Sequence, residues 1–391
     1  MSAPSPSAHP PPAHPPAAPL HALTALRFVA AAYVVAFHYA TFFFADAAIP
    51  EAVRLGYSGV TFFFLLSGFI LAHTYRDVDL TDRAARARFA WARVARVYPV
   101  YLVCLVLALP WFAAWVAKST QPLQGLMAAS AVLAPLGLHA WVPGAACALD
   151  CPSWSISVEV VFYALFPLLL PLARRAPGRT ARLTLAAWMA LTAGTALAFA
   201  RYAPGVSLID PEAGGAGPVL LAQAIKYNPL LRLPEFVAGL LLYGAWTRWR
   251  LPTPALLALA ALAGLGLVAG APHLPAVLLH NGLTALAWAP LILAGAQLRG
   301  GPLVKPGFVF LGRISFALYL IHVPAYALVN SLDRIALGGR LAAAPWLGAG
   351  LAAALALALS VLLHRGLEEP MRRRILRWAA RPRSAGPVAV G

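Results

Sequence analysis

Residues 23–44 read LTALRFVAAAYVVAFHYATFFF, an apolar run of membrane length carrying one arginine, Arg27, and one histidine, His38. At 100° per residue, the eleven steps between them bring the second side chain back to within about 20° of the first, so an α-helix presents both on one face. The rise is about 16 Å, roughly half a hydrocarbon core. An arginine at the membrane surface therefore puts the histidine near the midplane. Ionisable groups that deep cost about 3 kcal/mol each on insertion scales, so a pair in register faces a bundle interior or a wet cavity and marks a functional site. A snorkelling arginine and a hydrogen-bonded packing histidine would explain either residue alone, but not their register.

The rest of the chain carries the same signature. It is 61% hydrophobic and 11% charged, with a mean hydropathy of +0.74. A soluble chain of 391 residues does not need that much apolar surface, so the expectation is an all-α, polytopic membrane bundle. The formal charge of +17 does not indicate nucleic-acid binding. Its basic residues fall between apolar runs, without the basic and aromatic interleaving of a nucleic-acid groove.

Ten stretches have spanning length: 22–45, 57–74, 97–117, 154–173, 182–202, 229–247, 252–270, 276–297, 308–331 and 342–364. With the N-terminus inside, 23 of the 30 basic residues lie in inside segments, and the seven outside are Arg54, Lys118, Arg201, Lys226, Arg232, Arg334 and Arg340. The bias predicts both termini in the cytoplasm. Residues 1–21 read as a disordered Pro/Ala-rich tail without the basic start of a signal peptide, and 373–391 as a basic cytoplasmic tail. Residues 119–153 hold a shorter apolar piece broken by Pro135 and followed by Pro143. Counting it as a span would spoil the charge bias, so it reads as a re-entrant or interfacial segment facing outside. Cys147 and Cys151 fall within it on the oxidising side, where a bridge across four residues is tight but geometrically allowed. Cys104 reads as a packing residue, and no Cys/His cluster has metal-ligand spacing.

Four polar constellations stand out. Arg93 and Arg96, three apart in RVARVYP, share a helix face and suit phosphate groups through forked donors. Trp154-Ser155-Ile-Ser157-Val-Glu159 opens the fourth span from the outer side, with a carboxylate about one and a half turns inside that needs partners or a proton. Arg232-Leu-Pro-Glu235 opens the sixth, where Glu235 either meets a ligand or pairs with Arg232. In the ninth, Ser315, Tyr319 and His322 form an i, i+4, i+7 stripe. Ser67-Gly68 suggests close helix contact, and His139, His273 and His280 read as interfacial or packing residues.

In order along the chain, the Arg-x10-His helix, FFFLLSGF, RVARVYP, WSISVE, RLPEFVAG, GRISFALYLIHVP and LEEP (Leu367 to Pro370) resemble the motifs of the acyltransferase 3 family of bacterial membrane O-acyltransferases, over residues 23 to about 372. The departures are mild: Ile156 where leucine is common and Phe316 where tyrosine is common. The resemblance implies a membrane acyltransferase domain over 22–372, in a bacterial inner membrane. It also implies transfer of an acyl group, commonly acetyl, from cytoplasmic acyl-CoA as co-substrate, with no resident cofactor, to a hydroxyl of a carbohydrate or glycoconjugate such as an envelope polysaccharide. A secondary metabolite or a lipid is the alternative acceptor. Some relatives carry an extracytoplasmic esterase-like domain, and it is expected to be absent here.

On this reading coenzyme A docks its phosphates on Arg93 and Arg96, and the thioester reaches toward His38. The imidazole, with an ordinary pKa of about 6.5, takes the proton of the acceptor hydroxyl. Arg27 tunes the cavity's electrostatics or holds the donor. Glu159 orients His38 or binds the acceptor. Trp154, Ser155, Ser157, Arg232, Glu235, Ser315, Tyr319 and His322 support the acceptor side. A transporter, the rival class, would show paired broken helices in two related halves, and no such repeat is visible.

Overall fold

The computed structural model describes residues 19–380 except 210, 212 and 213. Most of the expected N-terminal tail and residues 381–391 of the basic tail lie outside the described residues. Every regular element among the described residues is helical. The helices of ten or more residues are α1 (His21–Phe43), α2 (Gly59–Thr74), α3 (Arg83–Lys118), α4 (Leu123–Leu133), α5 (Trp154–Arg175), α6 (Pro177–Tyr202), α7 (Ala216–Tyr227), α8 (Pro229–Arg248), α9 (Thr253–Gly270), α10 (Ala276–Gln297), α11 (Pro306–Leu332), α12 (Pro345–Leu363) and α13 (Glu369–Ala379).

All ten predicted spans fall on helices, and nine helices among the described residues are long and apolar enough to cross a membrane. The tenth, α8, has 20 residues but carries Arg232 and Glu235 inside its apolar run. Local chemistry sets the starts. Asp82 caps α3 by accepting from Ala84 and Ala85 N–H, Asn228 caps α8 by accepting from Leu230 N–H at 2.9 Å, and Pro306 and Pro345 occupy first turns, where no N–H is needed. The Asp82 cap starts α3 well before the expected span. Arg93 and Arg96 therefore sit within a continuous 36-residue helix rather than at the end of a loop.

Helices α1, α2, α8 and α11 form the centre. Glycine decides how closely α2 and α8 approach. A Cβ on Gly68 would collide with the Phe236 carbonyl oxygen, and one on Gly239 with that of Leu65, so the two backbones touch where each lacks a side chain. Gly312 lets α11 reach the Thr24 carbonyl of α1 in the same way. At the periphery, α6 and α9 turn Leu183, Leu185, Leu197, Leu259, Leu262 and Leu265 outward, the arrangement a lipid environment requires.

The segment 119–153 does not span. Its helix α4 has 11 residues, about 16 Å, against the roughly 30 Å of a hydrocarbon core. It is packed as a cap: Tyr101 Oη donates to Ala134 O at 2.5 Å, and Ser157 Oγ donates to Gly137 O at 2.7 Å. His139 Nε2 lies 3.1 Å from Ser153 Oγ, and burial pushes its imidazole down to about 4. Burial raises the neighbouring Asp150 carboxyl. Cys147 and Cys151 are joined in a disulfide, and Cys104 is free and buried.

Candidate active site

A cavity of about 940 Å³ opens at the basic end of the bundle, among α1, α2, α3, α5, α11 and α13. That volume lies at the upper end of the roughly 300–1,000 Å³ usual for ligand sites. Seven arginines line it (Arg27, Arg93, Arg96, Arg313, Arg365, Arg372 and Arg373) against two glutamates, Glu159 and Glu369. Thr24 of α1 and Leu376 of α13 share its wall. Both ends of the described chain therefore meet at one end of the bundle.

The inner arginines differ in their company. Arg93 stacks over Phe89 and Tyr163 at 5.7 and 5.8 Å, and its buried Nε has no hydrogen-bond partner. Arg96 lies over Phe316 at 5.3 Å and is ion-paired with Glu368, which also faces His364 Nδ1 at 2.8 Å. LEEP thus supplies the counter-charge of Arg96, a partnership that 272 residues of separation hide from any local reading. Among the described residues Arg27 makes no direct ion pair, and it faces Glu159 electrostatically.

Glu159 is displaced from its expected role. Its Oε2 accepts from Tyr163 Oη at 2.6 Å, and it shares the cavity wall with Arg27, Arg93 and Arg96. It neither touches His38 nor lies on the far side with Trp154. The reason is helical: five residues beyond Trp154 the chain has descended about 7.5 Å, into the reach of the basic-end cavity.

His38 is absent from the cavity wall. It meets His322 instead: His322 Nε2 lies 3.1 Å from His38 Nδ1. Hydrogen-bond logic sets the tautomers. His322 Nδ1 sits 2.7 Å from the Tyr319 carbonyl, which can only accept, so Nδ1 carries the proton and Nε2 is the acceptor. His38 Nδ1, also 3.1 Å from Val34 O, must then be the donor, leaving the His38 Nε2 lone pair free to take a proton. Tyr319 and Ser155 do line the cavity, and both donate to the Pro152 carbonyl at 3.0 Å. The inner end of the cavity is therefore one helical turn short of His322.

The remaining candidates are buried away from the cavity. Arg232 and Glu235, each 1% exposed, pair at 3.1 Å. Thr61 Oγ1 donates to Glu235 Oε1 at 2.9 Å and accepts from Arg232 at 3.2 Å. Arg232 also donates to the His280 carbonyl and to Asn281 Oδ1 at 3.0 Å. Helix α10 breaks at Asn281 and Gly282, so its freed carbonyls need donors: Arg232 supplies one to His280, and Trp188 supplies one to Asn281. Trp154 packs on Tyr227 and Phe64 at 4.9 and 5.8 Å, with Arg232 over its ring. Ser157 holds the cap, and Ser315 Oγ donates to Gly312 O at 2.8 Å. Rather than lining the cavity, these residues form a buried polar core, in which Arg232 Nε and Glu235 Oε2 have no hydrogen-bond partner among the described residues. Of the stripe on α11, only Tyr319 and His322 adjoin the functional groups.

Sequence reasoning missed Tyr163, Arg313, Arg365, Arg372 and Arg373 as cavity residues. The last three were counted only as inside charge, and no local pattern distinguishes a charge facing a cavity from one facing water. Among the described residues no group of three or more His, Cys, Asp or Glu could hold a metal ion.

A family model described as an acyltransferase domain matches residues 20–365. A curated relative, acyltransferase MdmB of Streptomyces mycarofaciens, is 32% identical over 354 residues, covering 84% of this chain and 85% of its own length. No solved structure matches. The match spans every helix that builds the arginine-lined cavity except α13, and the chain belongs to the acyltransferase 3 family: it is a multi-pass membrane acyltransferase.

Proposed function

We propose that the chain transfers an acyl group, most simply acetyl, from acyl-CoA to a hydroxyl of a carbohydrate or glycoconjugate acceptor. The observation that carries the donor half is the cavity itself, with seven arginines against two glutamates in a membrane-embedded bundle. Forked guanidinium donors match phosphate geometry, and partial burial strengthens each contact. Arg93, with an unsatisfied Nε, and Arg96 take the diphosphate. The pantetheine arm then runs inward past Ser67 and Ser155 toward Tyr319, with the His322–His38 pair one turn beyond. Glu159, hydrogen-bonded by Tyr163, faces Arg27 electrostatically across the wall.

In the chemical step His38 Nε2 accepts the proton of the acceptor hydroxyl as its oxygen attacks the thioester carbonyl. The C–S bond breaks, and the imidazolium returns the proton to the coenzyme A thiolate. The products are an ester and free coenzyme A. Since His38 lies beyond the inner end of the donor cavity, the acceptor comes from the opposite end of the bundle, which the charge bias assigns to the outside of the inner membrane. The charge bias and the position of His38 support this assignment.

The test is thiol release by the purified protein in nanodiscs, given acetyl-CoA and glycan fractions from the native envelope, with mass spectrometry of the acceptor. Release that depends on an added glycan and leaves an O-acetyl mark supports the reading. Release only with secondary metabolites or lipids would move the acceptor class. No release from any acyl-CoA would reject the donor.

A further inference from the structure

The arginines of the cavity fall into two tiers, and the diphosphate needs only the inner one. Arg313 of α11, Arg365 of the turn His364–Glu368, and Arg372 and Arg373 of α13 form the mouth. Glu369 is the one acidic residue lining the mouth among the described residues. It lies 3.4 Å from Arg372 Nη1 and 3.7 Å from Arg373 Nε, holding the two guanidinium groups side by side. Arg365 lies over the Phe310 ring at 5.0 Å, and α13 is anchored on α3 by Trp378 against Trp91 at 4.9 Å. Four positive charges from three elements thus share the mouth with one carboxylate, a surplus of positive charge that favours binding of a dianion.

The order of groups along coenzyme A matches this layering. The diphosphate lies between the pantetheine arm and the ribose, and the ribose carries a separate 3′-phosphate. With the thioester directed inward, the diphosphate reaches Arg93 and Arg96, and the 3′-phosphate is left at the mouth. Resting on the acyl-CoA reading above, we propose that Arg365, Arg372 and Arg373, with Arg313, bind the 3′-phosphate. The mouth thereby selects coenzyme A thioesters over acyl groups carried on protein-bound phosphopantetheine, which lacks that phosphate. Helix α13 then serves as the nucleotide-recognition element of the donor site. Its amphipathic sequence, EPMRRRILRWA, gives one face to α3 and places Arg372, Arg373 and Leu376 on the cavity.

The experiment compares coenzyme A with 3′-dephospho-coenzyme A by calorimetry on the purified full chain, and their acetyl thioesters by KM. The variants are Arg372→Gln/Arg373→Gln and, as a control, Arg374→Gln. Arg374 carries the same charge on the same helix but does not line the cavity. The wild type is expected to prefer coenzyme A by about tenfold or more, as one charge-assisted phosphate contact supplies. The double variant should bring that ratio close to one, and Arg374→Gln should keep it. A wild type indifferent to the 3′-phosphate, or a double variant that binds coenzyme A with an unchanged ratio, would overturn the assignment while leaving the donor reading intact. If neither nucleotide binds and no thioester is consumed, the donor reading itself fails and this one with it.

Discussion

His322 Nε2 lies 3.1 Å from His38 Nδ1, joining two helices whose residues are 284 positions apart. The Tyr319 carbonyl fixes the proton on the far nitrogen of His322. The pair therefore has one polarity, ending in an unprotonated His38 Nε2.

Replacement of His38 by Ala is expected to abolish acyl transfer, removing the 10²–10⁴-fold that general-base catalysis typically supplies. His322→Phe should lower kcat by a smaller factor, about 10–100-fold, with the KM for acyl-CoA unchanged, because neither ring lines the donor cavity. Steady-state kinetics on protein of wild-type thermal stability decides it. Wild-type turnover in His38→Ala would remove the base.

Arg93→Ala and Arg96→Ala are both expected to raise the KM for acyl-CoA, each by about 10–100-fold, the equivalent of a charge-assisted contact of about 1.5–3 kcal/mol. Only Arg96→Ala should also cost stability, because it strands the Glu368 carboxylate, which is 1% exposed. Adding Glu368→Gln should recover part of that loss in a thermal melt. Equal melting temperatures for the two single variants would contradict the Arg96–Glu368 pairing.

Arg232→Met is expected to destabilise the protein by about 3–5 kcal/mol, since it leaves Glu235 buried and unpaired. It also leaves the His280 carbonyl without its donor. The double replacement Arg232→Met/Glu235→Leu should melt higher than the single. If Arg232→Met keeps its melting temperature yet loses affinity for the acceptor, the cluster is a binding site rather than a structural one.

Gly239→Ala should prevent α2 and α8 from closing and give little folded protein, since the added Cβ meets backbone rather than a movable side chain. Gly264→Ala on α9 has no atom within 4 Å of its Cβ and is expected to be neutral, or slightly stabilising through helix propensity. Size-exclusion profiles of the two variants in detergent separate these outcomes.

A cysteine at Lys118 is expected to react with an impermeant thiol reagent on intact cells, and one at Lys305 only after lysis. Both positions are exposed, while the native thiols are either buried or paired. The reverse pattern would invert the orientation drawn from charge bias and place the arginine cavity outside the cell.

The helices were legible in the chain because their information is local. A 20-residue apolar run and the 3.6-residue period that puts Arg27 and His38 on one face are each read within a single segment. That 119–153 is too short and proline-broken to span was legible for the same reason. Partnership is not local. That Arg96 meets Glu368, that Glu159 turns to Tyr163 rather than to His38, and that His38 meets His322 depend on which helix faces pack together. Residues such as Gly68, Gly239 and Gly312 decide this by how closely they let backbones approach. The same packing buried Arg232 against a broken helix and left Arg372 and Arg373 facing a cavity. An isolated charge on a helix reveals its depth in the membrane, whereas its counter-ion, and therefore its role, is settled only when distant helices come together.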